Sequence, residues 1–327
     1  MSLPYTVFSY HAAYTSMVAF SSPSAPVNQH ANPAWWVLMA GGKLAVKPKV
    51  GFSPDVCEMI YLKYMYGTHN MTRLTLWFVL SFLKQYPKVY NYDSLSPTVR
   101  RYGDRFVRES VHRGISFLFH SMQEISMEHA LHPNNSVPHF PTHCIGSIDT
   151  FPVRVHRGRS RYQPKYAGNV CKFQATCSHL GMFCFLSGPH PGAMSDTTLA
   201  RLYRPNYAAY GLQSCYWLAD LAYISVPQML PPFKGEQTEW EAEFTRVHQF
   251  YRARVERSFA DLHKFDIVRS PFRSSDLVFL KRCIFVLCGC LNVKRASSMP
   301  YNPYSPIAPQ HEPAVGRGDS AEPQCEH

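Results

Sequence analysis

CIGSIDTFPVRV (144–155), CKFQATCS (171–178), MFCFLS (182–187), SDTTLARLY (195–203) and SCYWLAD (214–220) are the stretches whose reading decides the fold. The first is rich in β-branched and apolar residues and predicts a strand. The second alternates, which turns Cys171, Phe173, Ala175 and Cys177 toward a core and Lys172, Gln174, Thr176 and Ser178 away from it. The third predicts a buried strand. The fourth starts a helix at Ser195 or Asp196, and the fifth is a strand that ends at Asp220. A helix follows from about Glu241 to Phe265, with Phe244, Val247, Tyr251, Val255, Phe259 and Leu262 spaced by three or four as its core side. DLVFLKRCIFVLCGCLNV (276–293) adds a closing helix over the sheet.

Three strands, a helix, a fourth strand and a later helix form the order of a ribonuclease H-like α/β domain, a mixed sheet flanked by helices, here spanning 140–296. Working outward, residues 49–135 read as all-α. Ser53-Pro54-Asp55 is a capping signal ahead of DVCEMIYLKYMY, LTLWFVLSFLKQYP is ended by Pro87, and LSPTVRRYGDRFVRESVHRGISFLF opens a third helix. In that third piece Leu95, Val99, Phe106, Val107, Val111 and Ile115 form an apolar stripe, with Arg100, Arg101, Arg105, Arg108 and Arg113 on the other faces. A short turn before an arginine-led helix is helix-turn-helix-like; a helical bundle with a solvated basic face gives the same pattern. Residues 1–48 predict a flexible arm, and 297–327, rich in proline and polar residues, a disordered tail.

Apolar residues make up 46% of the 327, and charged residues 17%, which excludes wholesale disorder. Thirty-three Lys and Arg against 22 Asp and Glu give a net charge of +11, so polyanions, nucleic acid first, are the expected partners. The ten cysteines contain no C-x2-C zinc pattern and mostly sit in apolar stretches, as reduced core residues do. The N-terminus lacks a secretory pattern. The late apolar run Cys283–Leu291 is far short of the roughly 20 residues a membrane helix needs, so neither export nor a membrane span is expected.

Three acids border these elements: Asp149, Asp220 and Glu256. Neighbouring first and fourth strands would point both aspartates to one place, and the late helix would bring Glu256 over it. Converging carboxylates repel unless cations lie between them, which suits Mg2+, with Mn2+ as a substitute. Two such ions serve phosphodiester cleavage or transfer. Each acid also has an ordinary reading: Asp149 as a strand-end turn residue, Asp220 as a turn former, Glu256 as the i,i+4 partner of Arg252. Between Asp149 and Asp196, Arg154, Arg157, Arg159, Arg161, Lys165 and Lys172 stand with no acid among them. They read as contacts to a DNA backbone, or as a solvated hairpin.

IGSIDTFPVRV, KYAGNVCKFQATC, SGPHPGAMSDTTLARL, WLADLAYISVPQMLPPFK and YRARVERSFADLHKFDIVRSPF follow one another over 145–292, with 35 residues between Asp220 and Glu256. In these pieces the chain resembles the DDE superfamily endonuclease of Harbinger-type eukaryotic transposases, and WFVLSFLKQYP and SPTVRRYGDRFVRESV resemble the helical region before it. The resemblance implies that Asp149, Asp220 and Glu256 bind the metal ions and that Arg252 orients Glu256 or meets phosphate. Asp196 it leaves as either a fourth ligand or a helix cap. It also implies a nuclear enzyme that cuts and joins transposon ends and target DNA, as a homo-oligomer, with a Myb-like DNA-binding helper protein. The chain departs from the pattern at Thr150, Ala222, His263 and Leu291, where that family usually has glycine, glycine, lysine and histidine-containing motifs. These departures keep open a domesticated, catalytically inactive nuclear protein that binds DNA or protein.

Overall fold

The computed structural model describes residues 50–68, 71–86, 104–122, 144–156, 162–163, 168–203, 215–235 and 238–298. Among the described residues the strands are β1 (Cys144–Arg154), β2 (Tyr162–Gln163), β3 (Gly168–Ser178), β4 (Phe183–Pro191), β5 (Tyr216–Leu218) and β6 (Met229–Leu230). They form one sheet in which β4, β3, β1, β5 and β6 lie side by side and β2 pairs with the start of β3. β1–β3 and β3–β4 are antiparallel, whereas β5 runs parallel to β1. The meander and crossover expected from the sequence are therefore present, giving a mixed α/β sheet compatible with a ribonuclease H-like domain. The two-residue strands β2 and β6 had no readable period.

β1 sits between β3 and β5, and Gly146 lets it do so. A Cβ at this position would overlap the carbonyl oxygen of Cys177 on β3, and the pairing with β5 shifts register between Cys144 and Gly146. Alternation along β3 is real, but both faces are covered. Phe173, Ala175 and Cys177 lie in the main core, and Lys172, Gln174, Thr176 and Ser178, expected to face away, are buried too. The reason is that a central strand of a sheet with helices on both sides has no solvent face.

The helices are α1 (Pro54–Tyr64), α2 (Arg73–Gln85), α3 (Asp104–Ser121), α4 (Asp196–Leu202), α5 (Glu239–Leu262), α6 (Asp266–Arg269) and α7 (Leu277–Ser297). Ser53 caps α1 as expected, and Ser195, not Asp196, caps α4. α5 starts two residues earlier than expected because Thr238 and Glu241 form a reciprocal capping box. Val255, Phe259 and Leu262 are buried, but Phe244, Val247 and Tyr251, expected in the core, are only half-buried. The first half of α5 leans instead on its own aromatic group, Phe244 stacking on Trp240 at 5.9 Å with Phe233 against both.

Val107, Val111, Ile115 and Leu118 of α3 enter the same hydrophobic cluster as α1, α2, β1, β3, α5 and α7. Phe106, expected on that stripe, is 42% exposed and meets Phe78 edge-on, while His112 stacks on Phe279 of α7 at 4.1 Å. Arg105, Arg108 and Arg113 are exposed, as expected. Leu95, Val99, Arg100, Arg101 and the turn that would make a helix-turn-helix lie outside the described residues, as do the arm and the tail. The nine described cysteines are buried and form no disulfide among the described residues, and burial drives the Cys177 thiol up to about 12, which makes it a core group rather than a nucleophile. No helix among the described residues is long and apolar enough to cross a membrane.

α7 is tied to the sheet by Asn292. Its side-chain Oδ1 accepts from the Phe183 N–H at 2.8 Å, and its Nδ2 donates to the Phe183 carbonyl, also at 2.8 Å. The buried amide thus supplies the main-chain partner that β4 lacks on its outer edge. Replacing it by an isosteric apolar group, Asn292→Leu, leaves two buried backbone groups unpaired, each worth about 1–3 kcal/mol. Urea unfolding of that variant is expected to show a loss of at least about 2 kcal/mol.

Candidate active site

Asp149 lies in the middle of β1, opposite Ala175 of β3, and not at the strand end that its ordinary reading required. Residues 149, 151 and 153 share the face that meets α5; Thr150 points to the α4 side. The Asp149 Oδ1 accepts the Thr150 N–H at 2.7 Å. Its Oδ2 accepts from Arg252 Nη1 at 3.2 Å, and the same guanidinium donates through Nη2 to Glu256 Oε1 at 2.5 Å. Arg252 and Glu256 occupy successive turns of α5, so a single cation lies between a strand carboxylate and a helix carboxylate. The i,i+4 pair expected as the ordinary explanation of Glu256 is formed, and it is also the bridge to Asp149.

Asp220 follows β5 and caps a 3-10 turn, Leu221–Tyr223, by accepting the Ala222 N–H at 2.8 Å. Its turn-forming role is therefore real. Asp220 also lines a cavity of about 300 Å3 together with Leu221, Ala222, Pro232, His248, Gln249 and Arg252, which places it on the same side of the sheet edge as the Arg252 bridge. His248 is fully buried in the wall of that cavity, its Nε2 at 2.8 Å from the Leu230 carbonyl, and desolvation lowers its pKa below the usual histidine value.

Asp196 is the first residue of α4. It accepts from Thr150 Oγ1 at 2.9 Å and from Lys172 Nζ at 3.0 Å, and Lys172 also donates to the Met194 carbonyl at 3.0 Å. Lys172 is buried, so its assignment as a DNA contact is corrected: the ammonium is spent inside the fold, holding the start of α4 against β3. Thr150, which sequence reasoning treated only as a departure from a glycine, links Asp149 through its N–H to Asp196 through its hydroxyl. Arg154, at the end of β1, is exposed, whereas Arg157, Arg159, Arg161 and Lys165 lie outside the described residues.

Asp149 feels its acidic neighbours. Removal from water, with the charges of Asp220 and Asp196 adding to it, pushes the Asp149 carboxyl up to about 6 against the pull of the Thr150 N–H and Arg252. Among the described residues no three His, Cys, Asp or Glu side chains are gathered into a ready metal-binding group. The donor chemistry nevertheless fits a hard divalent cation: the oxygens are carboxylates, Asp220 and Asp196 raise the cost of ionising Asp149, and Asp149 and Glu256 already converge on one positive group. Asp149, Asp220 and Glu256 are the residues that would hold it, with Asp196 beside them.

A carboxyl whose folded value lies above the roughly 3.9 of an unfolded chain holds its proton more tightly when folded. Ionising Asp149 therefore removes stability as the pH rises from about 4 to about 6, on the order of 1.4 kcal/mol for each unit between the two values. Asp149→Asn keeps the shape and removes the charge. Thermal unfolding is expected to give this variant a Tm a few degrees above the parent protein at pH 7.5, with the gain absent at pH 4; equal Tm values at both pH values would contradict the strain on Asp149.

Residues 148–292, which carry Asp149, Asp196, Asp220, Arg252 and Glu256, match the family model described as DDE superfamily endonuclease. No curated protein and no solved structure matches the chain. The segment match supports a DDE-type transposase family.

Proposed function

We propose that this protein is a DDE endonuclease of the Harbinger type that cuts and joins DNA by divalent-metal-dependent phosphoryl transfer. The observation that carries the reading is the convergence of Asp149 from β1 and Glu256 from α5 on Arg252, with Asp220 and Asp196 close enough to raise the Asp149 carboxyl. Asp149, Asp220 and Glu256 are the ligands, and a bound pair of Mg2+ ions supplies positive charge at the attacking and leaving oxygens. Asp149 is set by the sheet, Asp220 by its turn and Glu256 by the helix, so the three come from separate rigid elements. Arg252, which spans two of the carboxylates before a cation binds, would hold their spacing until then and offer its N–H groups to a phosphate oxygen once drawn away from Asp149. Arg154, and beyond the described residues Arg157, Arg159, Arg161, Lys165, Arg100 and Arg101, carry the DNA backbone toward the acids. Transposon ends and target DNA are the substrates, in the nucleus, with a homo-oligomer and a Myb-like helper protein as the working assembly.

A second reading, a domesticated inactive DNA- or protein-binding protein, is favoured by one observation. Each of these acids already has a partner within the protein: Asp220 caps its turn, Glu256 pairs with Arg252 and Asp196 with Lys172.

Incubation with DNA carrying the element's terminal repeats and Mg2+ or Mn2+ separates the two. The enzyme reading predicts strand cleavage that Asp149→Asn and Glu256→Gln each lower by more than roughly a hundredfold, since even outer partners of metal ligands are worth about 10–100-fold. Binding without any cleavage would leave the inactive reading. In the same assay series Arg154→Ala, whose guanidinium has no side-chain partner among the described residues, is expected to weaken DNA binding and reduce its salt dependence by about one phosphate contact.

A further inference from the structure

Thr150 stands between two acids. Its N–H donates to Asp149 Oδ1 at 2.7 Å, and its hydroxyl donates to Asp196 Oδ1 at 2.9 Å. Two hydrogen bonds from one residue thus hold the carboxylates in register across the strand, although Asp149 faces α5 and Asp196 opens α4. Lys172 completes the arrangement from β3. Its ammonium donates to Asp196 Oδ1 and to the Met194 carbonyl, both at 3.0 Å, on either side of Ser195, whose own hydroxyl caps α4. Capping therefore does not account for the Asp196 side chain.

Anchoring the helix does not account for it either. Leu199 and Ala200 already fix the seven-residue α4 with fully buried side chains. The Lys172 side chain is only 9% exposed, and an ion pair enclosed this far costs so much desolvation that apolar contacts would hold a short helix as well. Both donors, moreover, meet the same oxygen. Oδ1 takes Thr150 and Lys172, whereas no donor among the described residues meets Oδ2, and the Asp196 side chain is 24% exposed. A carboxylate clamped through one oxygen is oriented without being used up: the lone pairs of the other remain for a hard cation.

We propose that Thr150 and Lys172 are positioning residues of the acid site, which clamp Asp196 through one oxygen and leave the other available to the cation held by Asp149. The proposal rests on the metal-dependent reading above, and it explains the Asp196–Lys172 pair as part of a working site. Donors behind a ligating carboxylate fix its direction, and losing one typically weakens metal binding or activity by about 10–100-fold.

The test compares the parent protein with Thr150→Val, which keeps the shape and the N–H to Asp149 but loses the hydroxyl, and with Thr150→Ser, which keeps the hydroxyl. Each is read by thermal unfolding, Mn2+ titration followed by electron paramagnetic resonance, and cleavage kinetics. Thr150→Val is expected to raise the Kd for Mn2+ about tenfold and lower kcat by a similar factor with KM for DNA unchanged, and Thr150→Ser to stay within about twofold of the parent. Added to Asp196→Asn, Thr150→Val is expected to change nothing further, because its effect passes through that carboxylate. A lower Tm in Thr150→Val with Mn2+ affinity intact would assign the hydroxyl a purely structural role and overturn the proposal. A serine variant as weak as the valine one, or effects that add in the double variant, would overturn it as well. If the parent protein itself takes up no Mn2+, it is the metal-dependent reading that fails, and the clamp with it; a parent that binds Mn2+ and a valine variant that binds it equally would sink the clamp alone.

Discussion

One guanidinium between two carboxylates is the contact on which the rest of the site depends. Arg252 reaches from α5 to Asp149 on the central strand and back to Glu256 one turn further along its own helix. The bridge joins two layers that the hydrophobic core also holds together, because Phe151, two residues beyond Asp149, packs on Phe259, three beyond Glu256, at 4.8 Å between ring centroids. Apolar packing thus sets the distance across which the charges meet. Exposure is graded through the bridge: Asp149 is largely buried at 18%, whereas Glu256 is 52% exposed. The strand acid carries the cost of desolvation, and the helix acid remains open to solvent.

Much of this arrangement was legible in the sequence, for physical reasons that can be named. The β-branched and apolar run at 144–155 and the alternating run at 171–178 marked long strands, and the order of strands and helices left few topologies in which β5 could avoid lying parallel beside β1. With Ser147 paired to Leu218, Asp149 and Asp220 each follow two residues further along neighbouring segments of chain. The i,i+4 step from Arg252 to Glu256 was equally visible, as was the buried stripe of α3 apart from Phe106. Strands of two residues left no period to read, and the half-burial of Phe244, Val247 and Tyr251 depends on where the sheet ends beneath α5, which helical spacing alone does not contain.

The main misreading, Lys172, is instructive. An alternating strand predicts one wet face, and a lysine on it reads as a surface cation. In the folded chain α4 covers that face, and the buried ammonium becomes affordable because Asp196 and the Met194 carbonyl meet it. Thr150 was missed for a related reason. A threonine after an aspartate is an ordinary residue in a sequence, and only the fold puts the Thr150 hydroxyl against Asp196. Local pattern located the acids; the groups that orient them came from long-range packing.

The central claim is that Asp149, Asp220 and Glu256 share a divalent cation. Anomalous scattering from crystals grown with Mn2+ tests it most directly: the account predicts a peak within coordination distance of all three carboxylates, with Arg252 drawn away from Asp149. A structure at high Mn2+ occupancy elsewhere, but with no peak at these residues and the Arg252 bridge intact, would contradict it.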